Sequence, residues 1–88
     1  MAERRVTVVN AHGIHARPAA EIVKMAARFT SNILLEKDGL EVNGKSIMGV
    51  MMLAAECGSE VIIRADGDDA AAAVDALAEL IASRFGEK

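Results

Sequence analysis

The chain has 88 residues and a formal charge of −3, from 13 acidic and 10 basic residues. This length is typical of one small domain, so residues 1–88 are interpreted as a single domain. Opposite charges are mixed along the chain and it has only two phenylalanines and no Tyr or Trp, which argues against nucleic-acid binding. With one cysteine, no signal peptide and no apolar run long enough to span a bilayer, we expect a cytoplasmic protein without membrane insertion.

The first predicted element is a strand over residues 5–9, where apolar residues alternate. A loop over residues 10–13 follows. Next comes an amphipathic helix that begins near Ala16 or Arg17, because Pro18 lacks a backbone N–H and suits the first helical turn. This helix is predicted to end near residue 30. The residues that form its buried face are Ala19, Ile22, Val23, Ala26 and Phe29.

The residues at the start of this helix include side chains that can react with or bind an anion. His15 lies where the first N–H groups and the positive end of the helix dipole favour an anion. Imidazole titrates near neutrality and can carry a phosphoryl group on a ring nitrogen. Arg17 adds planar donors for phosphate oxygens, and Gly13 permits a backbone conformation that other residues resist. We therefore predict a phosphate site at Ala16, Arg17 and Pro18 with His15 as the nucleophile, the alternative being that His15 is a helix cap or a surface residue.

His12 and His15 together are a possible pair of metal ligands. Two histidines in a loop, without a third ligand at an evident spacing, make a weak zinc motif. His12 is instead expected to be solvated or to tune His15. We predict no metal site and no other cofactor.

The middle of the chain predicts a hairpin followed by a short helix. Residues 33–37 and 40–43 have strand character, and Asp38-Gly39 between them is a two-residue turn. Ser46 follows the second strand, and its side chain can cap a helix over residues 47–53.

This short helix has no polar face. Its apolar residues are Ile47, Met48, Val50, Met51, Met52 and Leu53. A small domain cannot bury all of them, so some methionine must face solvent. Because methionine is flexible and polarisable, an exposed group of them suits a surface that docks partners of different shapes.

The last third of the chain is predicted to be structural. Cys57 lies in a turn without a basic neighbour that would activate it. Residues 61–65 alternate as a strand, and either Asp68 or Asp69 caps a final helix. The core face of that helix is predicted to be Ala70, Ala73, Val74, Leu77 and Ile81.

Two segments resemble one known family. Residues 13–20 closely resemble the active-site segment of the histidine-containing phosphocarrier protein (HPr) family of the bacterial phosphoenolpyruvate:sugar phosphotransferase system, and residues 45–51 resemble its second signature in the form found in low-GC Gram-positive bacteria. The element order β-α-β-β-α-β-α argues for an antiparallel sheet with helices on one face. The resemblance implies an α+β open-faced β-sandwich, in which three helices cover one face of a four-stranded antiparallel sheet.

The resemblance also implies a function. A member of this family accepts phosphate on its histidine, here His15, from Enzyme I and donates it to sugar-specific Enzyme IIA components, acting as a carrier and not as an enzyme. It further implies that a serine kinase/phosphorylase modifies Ser46 and that the short helix docks on Enzyme I. The predicted docking residues are Ile47, Met48, Met51 and Met52. We expect the carrier to act as a monomer.

Two departures from the family and one competing function accompany this interpretation. His12 stands where the family usually has a small polar residue, and Met52 and residues 54–57 are not the small or polar residues expected there. The competing function is that of a regulatory or nitrogen-system paralogue not dedicated to sugar transport. His15 argues against a purely regulatory paralogue, because such proteins resemble this chain but lack the histidine.

Overall fold

The computed structural model describes residues 1–86 and contains one sheet of four strands. The strands are β1 (Ala2–Thr7), β2 (Asn32–Lys37), β3 (Leu40–Asn43) and β4 (Glu60–Asp66). Their spatial order is β1-β4-β2-β3, and each neighbouring pair is antiparallel. The helices are α1 (Ala16–Ala26), α2 (Ile47–Met52) and α3 (Ala70–Ala82), followed by a short 3-10 turn at Arg84–Gly86. The predicted fold class and element order are confirmed.

The core lies between one face of the sheet and the helices. In β4, Val61 and Ile63 are fully buried on this face, because alternate side chains of a strand point to opposite sides. The helices contribute Ile22 of α1, Val50 of α2 and Leu77 of α3, which are also fully buried. All five core positions predicted for the last helix are buried. They are Ala70, Ala73, Val74, Leu77 and Ile81.

The other face of the sheet carries an ion-pair network centred on Arg64. The guanidinium of Arg64 donates hydrogen bonds to Glu3 at 2.8 Å, to Glu41 at 3.2 Å and to Glu36. These residues come from all four strands, so the network links the strands across the solvent-facing side. The sheet is therefore open on this face.

The predicted hairpin turn is confirmed. Leu40 pairs with Lys37, and the residues between them, Asp38 and Gly39, have φ values of 51° and 84°. A two-residue turn with positive φ at both positions matches the twist of the flanking strands. Asp and Gly tolerate this conformation better than other residues do.

Several predicted boundaries differ from the structure, and those of β2 and α2 differ by a single residue each. The first strand is Ala2–Thr7 and not 5–9, because its pairing with β4 runs from Ala2↔Ala65 to Thr7↔Glu60. The first helix ends at Ala26, because the N–H groups of Arg28 and Phe29 bond carbonyls three residues back and tighten the chain into turns. The last strand extends one residue further at each end than predicted.

The prediction that an aspartate side chain caps the last helix is wrong. Asp69 is at the N-cap position of α3, but its side chain makes no capping hydrogen bond. Its carboxylate instead accepts hydrogen bonds from the N–H groups of Thr30 and Ser31 and from the Ser31 hydroxyl. Asp69 therefore fastens α3 to the segment that follows α1.

Candidate functional site

The loop before α1 is held by hydrogen bonds within itself and to the segment before β4. The buried Asn10 side chain donates through Nδ2 to the Gly13 carbonyl at 2.7 Å, and the Asn10 backbone carbonyl accepts from Gly13 N at 3.1 Å. Ile14 N donates to the Ala55 carbonyl at 2.8 Å. The chain that presents His15 is therefore anchored on both sides.

Gly13 is required by this packing. Its φ is +66°, and a Cβ built at this position would clash with the Ala55 carbonyl and lie 2.9 Å from Glu56 Cα. A side chain would meet backbone atoms, which cannot move aside as a flexible side chain can. The predicted conformational role of Gly13 is confirmed, and the structure adds its close contact with the segment before β4.

His15 is the N-cap residue of α1, and its backbone is extended with φ −96° and ψ −165°. Its carbonyl accepts the hydrogen bond from Ala19 N at 2.9 Å that opens the helix, whereas its side chain makes no capping bond. The residue is exposed. The imidazole ring is thus at the helix start and accessible to solvent, and the alternative of a side-chain cap is not supported.

The start of α1 has the electrostatics predicted for an anion site. The first turn contains no acidic residue, and Pro18 is buried beneath it. Ala16 and Arg17 are exposed there. Because the first N–H groups of an α-helix have no acceptor within the helix and its dipole is positive at this end, negative charge is favoured here.

The Arg17 guanidinium contacts a part of the chain that the sequence did not indicate. Its Nη1 and Nη2 atoms both lie 3.5 Å from the Phe85 carbonyl oxygen, in the turn after α3. Phe85 is buried and has φ 55°. The C-terminal turn therefore positions Arg17, although the residues involved are 68 apart in the sequence and no local pattern links them.

His12 lies beside His15. The two ring centroids are 6.1 Å apart and the ring planes are inclined at 79°. Among residues 1–86, no group of three or more His, Cys, Asp or Glu side chains is arranged to hold a metal ion. The metal-site alternative for this pair therefore lacks a third ligand in the described part of the chain.

Helix α2 begins at Ile47, with Ser46 as its N-cap, as predicted. The Ser46 hydroxyl accepts a hydrogen bond from Gly49 N at 3.1 Å, which is a standard N-cap. Val50 is fully buried, but four apolar side chains of this helix are on the surface. Their exposed fractions are 45% for Ile47, 76% for Met48, 45% for Met51 and 64% for Met52. The prediction that methionine side chains of this helix face solvent is confirmed.

The apolar surface and the histidine belong to adjacent elements. Helices α1 and α2 are in contact, and α2 also contacts β3. We call Ile47, Met48, Met51 and Met52 the α2 surface. This surface belongs to the helix that packs against α1, the helix that His15 caps.

Comparison with known proteins identifies the family. Residues 2–83 match the family model described as "PTS HPr component phosphorylation site". The phosphocarrier protein HPr of Treponema pallidum is 49% identical over 88 residues, covering 100% of both chains. The HPr-like protein Crh of Bacillus subtilis is 48% identical over 81 residues, covering 92% of this chain and 95% of Crh.

Solved structures agree with these sequence matches. The crystal structure of HPr from Thermoanaerobacter tengcongensis has a TM-score of 0.96 at 48% identity, covering 100% of this chain and 99% of that one. An HPr dimer from the same organism has a TM-score of 0.79 at 48% identity, covering 99% of this chain and 100% of that one. Among residues 1–86, none of the helices has the length and apolar character of a membrane span.

The matches in sequence and in structure show that the chain belongs to the HPr family of the phosphotransferase system, whose members are phosphocarrier proteins and not catalysts.

Proposed function

We propose that His15 accepts a phosphoryl group from Enzyme I and donates it to sugar-specific Enzyme IIA components. One observation supports this most directly: His15 is exposed at the start of α1, where it caps the helix with its backbone and not with its ring. A nucleophile must be reachable by two partner proteins in turn, and this position is accessible to both.

In the forward step, the lone pair of a His15 ring nitrogen attacks phosphorus, and the bond between phosphorus and Enzyme I breaks. In the second step, a nucleophilic side chain of Enzyme IIA attacks phosphorus, and the bond between phosphorus and the His15 ring nitrogen breaks. The N–H groups at Ala16 and Arg17 and the Arg17 guanidinium stabilise the charge on the transferring oxygens. Their exposure keeps the interaction modest, which suits a carrier that must release its phosphoryl group.

The α2 surface is proposed as the docking site for Enzyme I and Enzyme IIA. Exposed apolar side chains contribute most to binding when a partner removes them from water. Ser46 is proposed as the site at which a regulatory serine kinase/phosphorylase acts, because its hydroxyl lies immediately before this surface.

We propose that residues 1–88 form one carrier domain that acts as a monomer in the cytoplasm. Because an HPr dimer is known from T. tengcongensis, the oligomeric state of this chain in solution should be measured.

The competing function is that of a regulatory or nitrogen-system paralogue, and the observation that favours it is the similarity to Crh, which is described as the catabolite repression HPr of Bacillus subtilis. His15 favours the carrier role, because a purely regulatory protein has no use for an accessible nucleophile at an anion site. The identity of the Enzyme IIA that accepts the phosphoryl group distinguishes sugar transport from nitrogen regulation.

The test is incubation with phosphoenolpyruvate and catalytic Enzyme I, followed by site-resolved mass spectrometry and transfer to purified Enzyme IIA proteins. We expect one phosphoryl group on His15 that is labile in acid and stable in alkali, because protonation of a phosphoramidate nitrogen creates a good leaving group. His15→Ala should abolish labelling without unfolding the chain, while His12→Ala remains labelled as a control. Labelling that persists in His15→Ala, or that resides on His12, contradicts the proposal.

A further inference from the structure

His12 has no part in the transfer proposed above, yet its ring is a direct neighbour of His15. The ring centroids are separated by 6.1 Å and both residues are exposed. We propose that protonated His12 binds the phosphoryl group carried by His15, so that the stability of the phosphorylated carrier depends on pH. This inference rests on the proposed phosphorylation of His15.

The separation of the rings fits this contact. A phosphoryl group on a His15 ring nitrogen extends its oxygens beyond the edge of that ring, and a nitrogen of His12 extends outward from its own ring. A hydrogen bond between these atoms needs about 2.9 Å. Because the centroids are only 6.1 Å apart, an oxygen of the phosphoryl group comes within reach of a His12 ring nitrogen once the two side chains turn to place the group beside both rings.

The backbone on either side of His12 holds it in this position. Asn10 and Gly13 are joined by two hydrogen bonds across His12, and Ile14 N is bonded to the Ala55 carbonyl. A binding group on a fixed loop loses less conformational entropy than one on a mobile loop. The contact with the phosphoryl group therefore requires only rotation of the two side chains.

The charge of the His12 ring decides the sign of the effect. Two protonated imidazoles repel each other, whereas phosphorylation turns His15 into an anionic partner. The other charged or titratable groups on the adjoining segments are Arg17 on α1, Arg84 in the turn that Arg17 contacts, and Glu56 and Cys57 in the segment packed against Gly13. Among these types of group, imidazole is the one whose charge changes most between pH 6 and 8.

The experiment loads the chain without Enzyme I, using phosphoramidate as a small phosphoryl donor. The phosphorus–nitrogen bond of the donor breaks and ammonia leaves as the bond from His15 to phosphorus forms. Loss of the group to water is then followed by intact mass at pH 6 and pH 8 for the wild type, His12→Ala and His12→Lys, with Cys57→Ser as an exposed-loop control. Comparing variants at one pH removes the acid lability that all phosphohistidines share.

We expect His12→Ala to lose its phosphoryl group about three- to tenfold faster than the wild type at pH 6, the range for one exposed charge facing a dianion. The two rates should converge at pH 8, because an imidazole side chain loses its charge between pH 6 and 8. His12→Lys stays positively charged, so it should retain the group at both pH values and lose it more slowly than the wild type at pH 8. Cys57→Ser should follow the wild type throughout.

Equal rates for the wild type and His12→Ala at pH 6, or a His12→Lys variant that behaves like His12→Ala, would overturn the inference. Neither result affects the proposed carrier function, since His15 would still be phosphorylated. If phosphoramidate labels no histidine in any folded variant, both the inference and the proposed role of His15 are wrong. Circular dichroism at both pH values establishes that each variant is folded.

Discussion

Asp69 and Ser31 join the start of α3 to the segment between α1 and β2. Asp69 Oδ1 accepts from the Ser31 hydroxyl at 2.5 Å and from Ser31 N at 3.0 Å, while Oδ2 accepts from Thr30 N at 2.8 Å. The Ser31 hydroxyl, followed by the Thr30 N–H group, lowers the pKa of Asp69 from 3.8 to about 2, because both stabilise the ionised carboxylate. The contact depends on that negative charge.

This relationship predicts how acid affects stability. Because the pKa of Asp69 is lower in the folded chain than the value of 3.8 for the unfolded group, its contribution is complete above pH 3.8 and is lost as the pH falls through about 2. Asp69→Asn should therefore lower the urea midpoint at pH 7 relative to the wild type, and the difference should shrink as the pH approaches 2. Asp68→Asn is the matched control, since Asp68 is exposed next to it. A constant difference between Asp69→Asn and the wild type from pH 7 to pH 2 would contradict the assignment.

Gly13→Ala should disturb the loop that presents His15. The substitution meets two penalties, a positive φ and a clash with the backbone at Ala55 and Glu56. Gly58→Ala is a matched control, because its φ is +93° but a Cβ there has open space around it. We expect Gly58→Ala to lose about 1–2 kcal/mol of unfolding free energy and Gly13→Ala to lose clearly more, with slower phosphorylation of His15 in Gly13→Ala alone. Denaturant unfolding measures the loss of stability, and the rate of His15 phosphorylation measures the effect on the loop. Equal losses of unfolding free energy in the two variants would show that the backbone at residues 55–56 shifts to make room for the added methyl group.

Arg17→Ala tests how much the guanidinium contributes to transfer. The side chain stabilises negative charge on the phosphoryl group but is not the nucleophile, so His15 should remain phosphorylated while the rate of transfer from Enzyme I falls by about 10- to 100-fold. Arg17→Lys should be intermediate, because a lysine carries the charge without the planar pair of donors. Rapid-quench kinetics with phospho-Enzyme I provides the measurement. Transfer at the wild-type rate in Arg17→Ala would show that the N–H groups of the first turn suffice.

Local patterns in the sequence predicted the order of helices and strands, while the resemblance to the HPr family implied the open-faced sandwich of four strands and three helices. The strand character of β2, the alternation in β4, the Asp38-Gly39 turn and the Ser46 cap each involve residues close together in the chain, and all are present in the structure. Pro18 likewise placed the start of α1 one residue after His15. Such features depend on local backbone geometry and on the spacing of apolar residues, which a sequence displays directly.

Contacts between distant residues were not predictable in this way. Either Asp68 or Asp69 was expected to cap the last helix, but in the fold the Asp69 carboxylate accepts hydrogen bonds from the Thr30 and Ser31 N–H groups instead. The contact of Arg17 with the Phe85 carbonyl also forms only when α3 has packed beside α1. Both contacts depend on how the helices pack against each other in the folded chain, and local sequence patterns do not show which distant segments become neighbours.

Met48→Glu tests docking through the α2 surface. Met48 is 76% exposed, so a carboxylate at this position is solvated in the free carrier and the fold should be retained. In a complex the same carboxylate would be desolvated against an apolar partner, which is costly without a compensating charge. We expect the dissociation constant for Enzyme I to rise about tenfold or more, measured by calorimetry. Ala72→Glu, on the exposed side of α3, is the control for added charge, and unchanged affinity in a folded Met48→Glu variant would exclude the α2 surface as the docking site.

Ser46→Asp separates the structural role of Ser46 from its proposed regulatory role. Ser46 caps α2 through its hydrogen bond from Gly49 N, and aspartate is as good a cap as serine. Negative charge at a helix N-terminus is also favourable, so neither phosphorylation nor Ser46→Asp should melt α2. Ser46→Ala loses the cap, at about 1 kcal/mol, which corresponds to a thermal midpoint about 4–8 °C lower for a domain of this size.

If phosphorylation of Ser46 inhibits transfer, it must therefore act at the surface and not through unfolding. A negative group beside Ile47 and Met48 has to lose water against an apolar partner, or meets acidic groups on that partner, and either event weakens the encounter with Enzyme I. Ser46→Asp should accordingly have a thermal midpoint equal to or above that of Ser46→Ala, together with slower phosphorylation of His15 than either the wild type or Ser46→Ala. Because a fully phosphorylated serine carries more charge than aspartate, the kinase product should be slower still. A Ser46→Asp variant that is phosphorylated at the wild-type rate, or that loses helix signal in circular dichroism, would contradict inhibition through the surface.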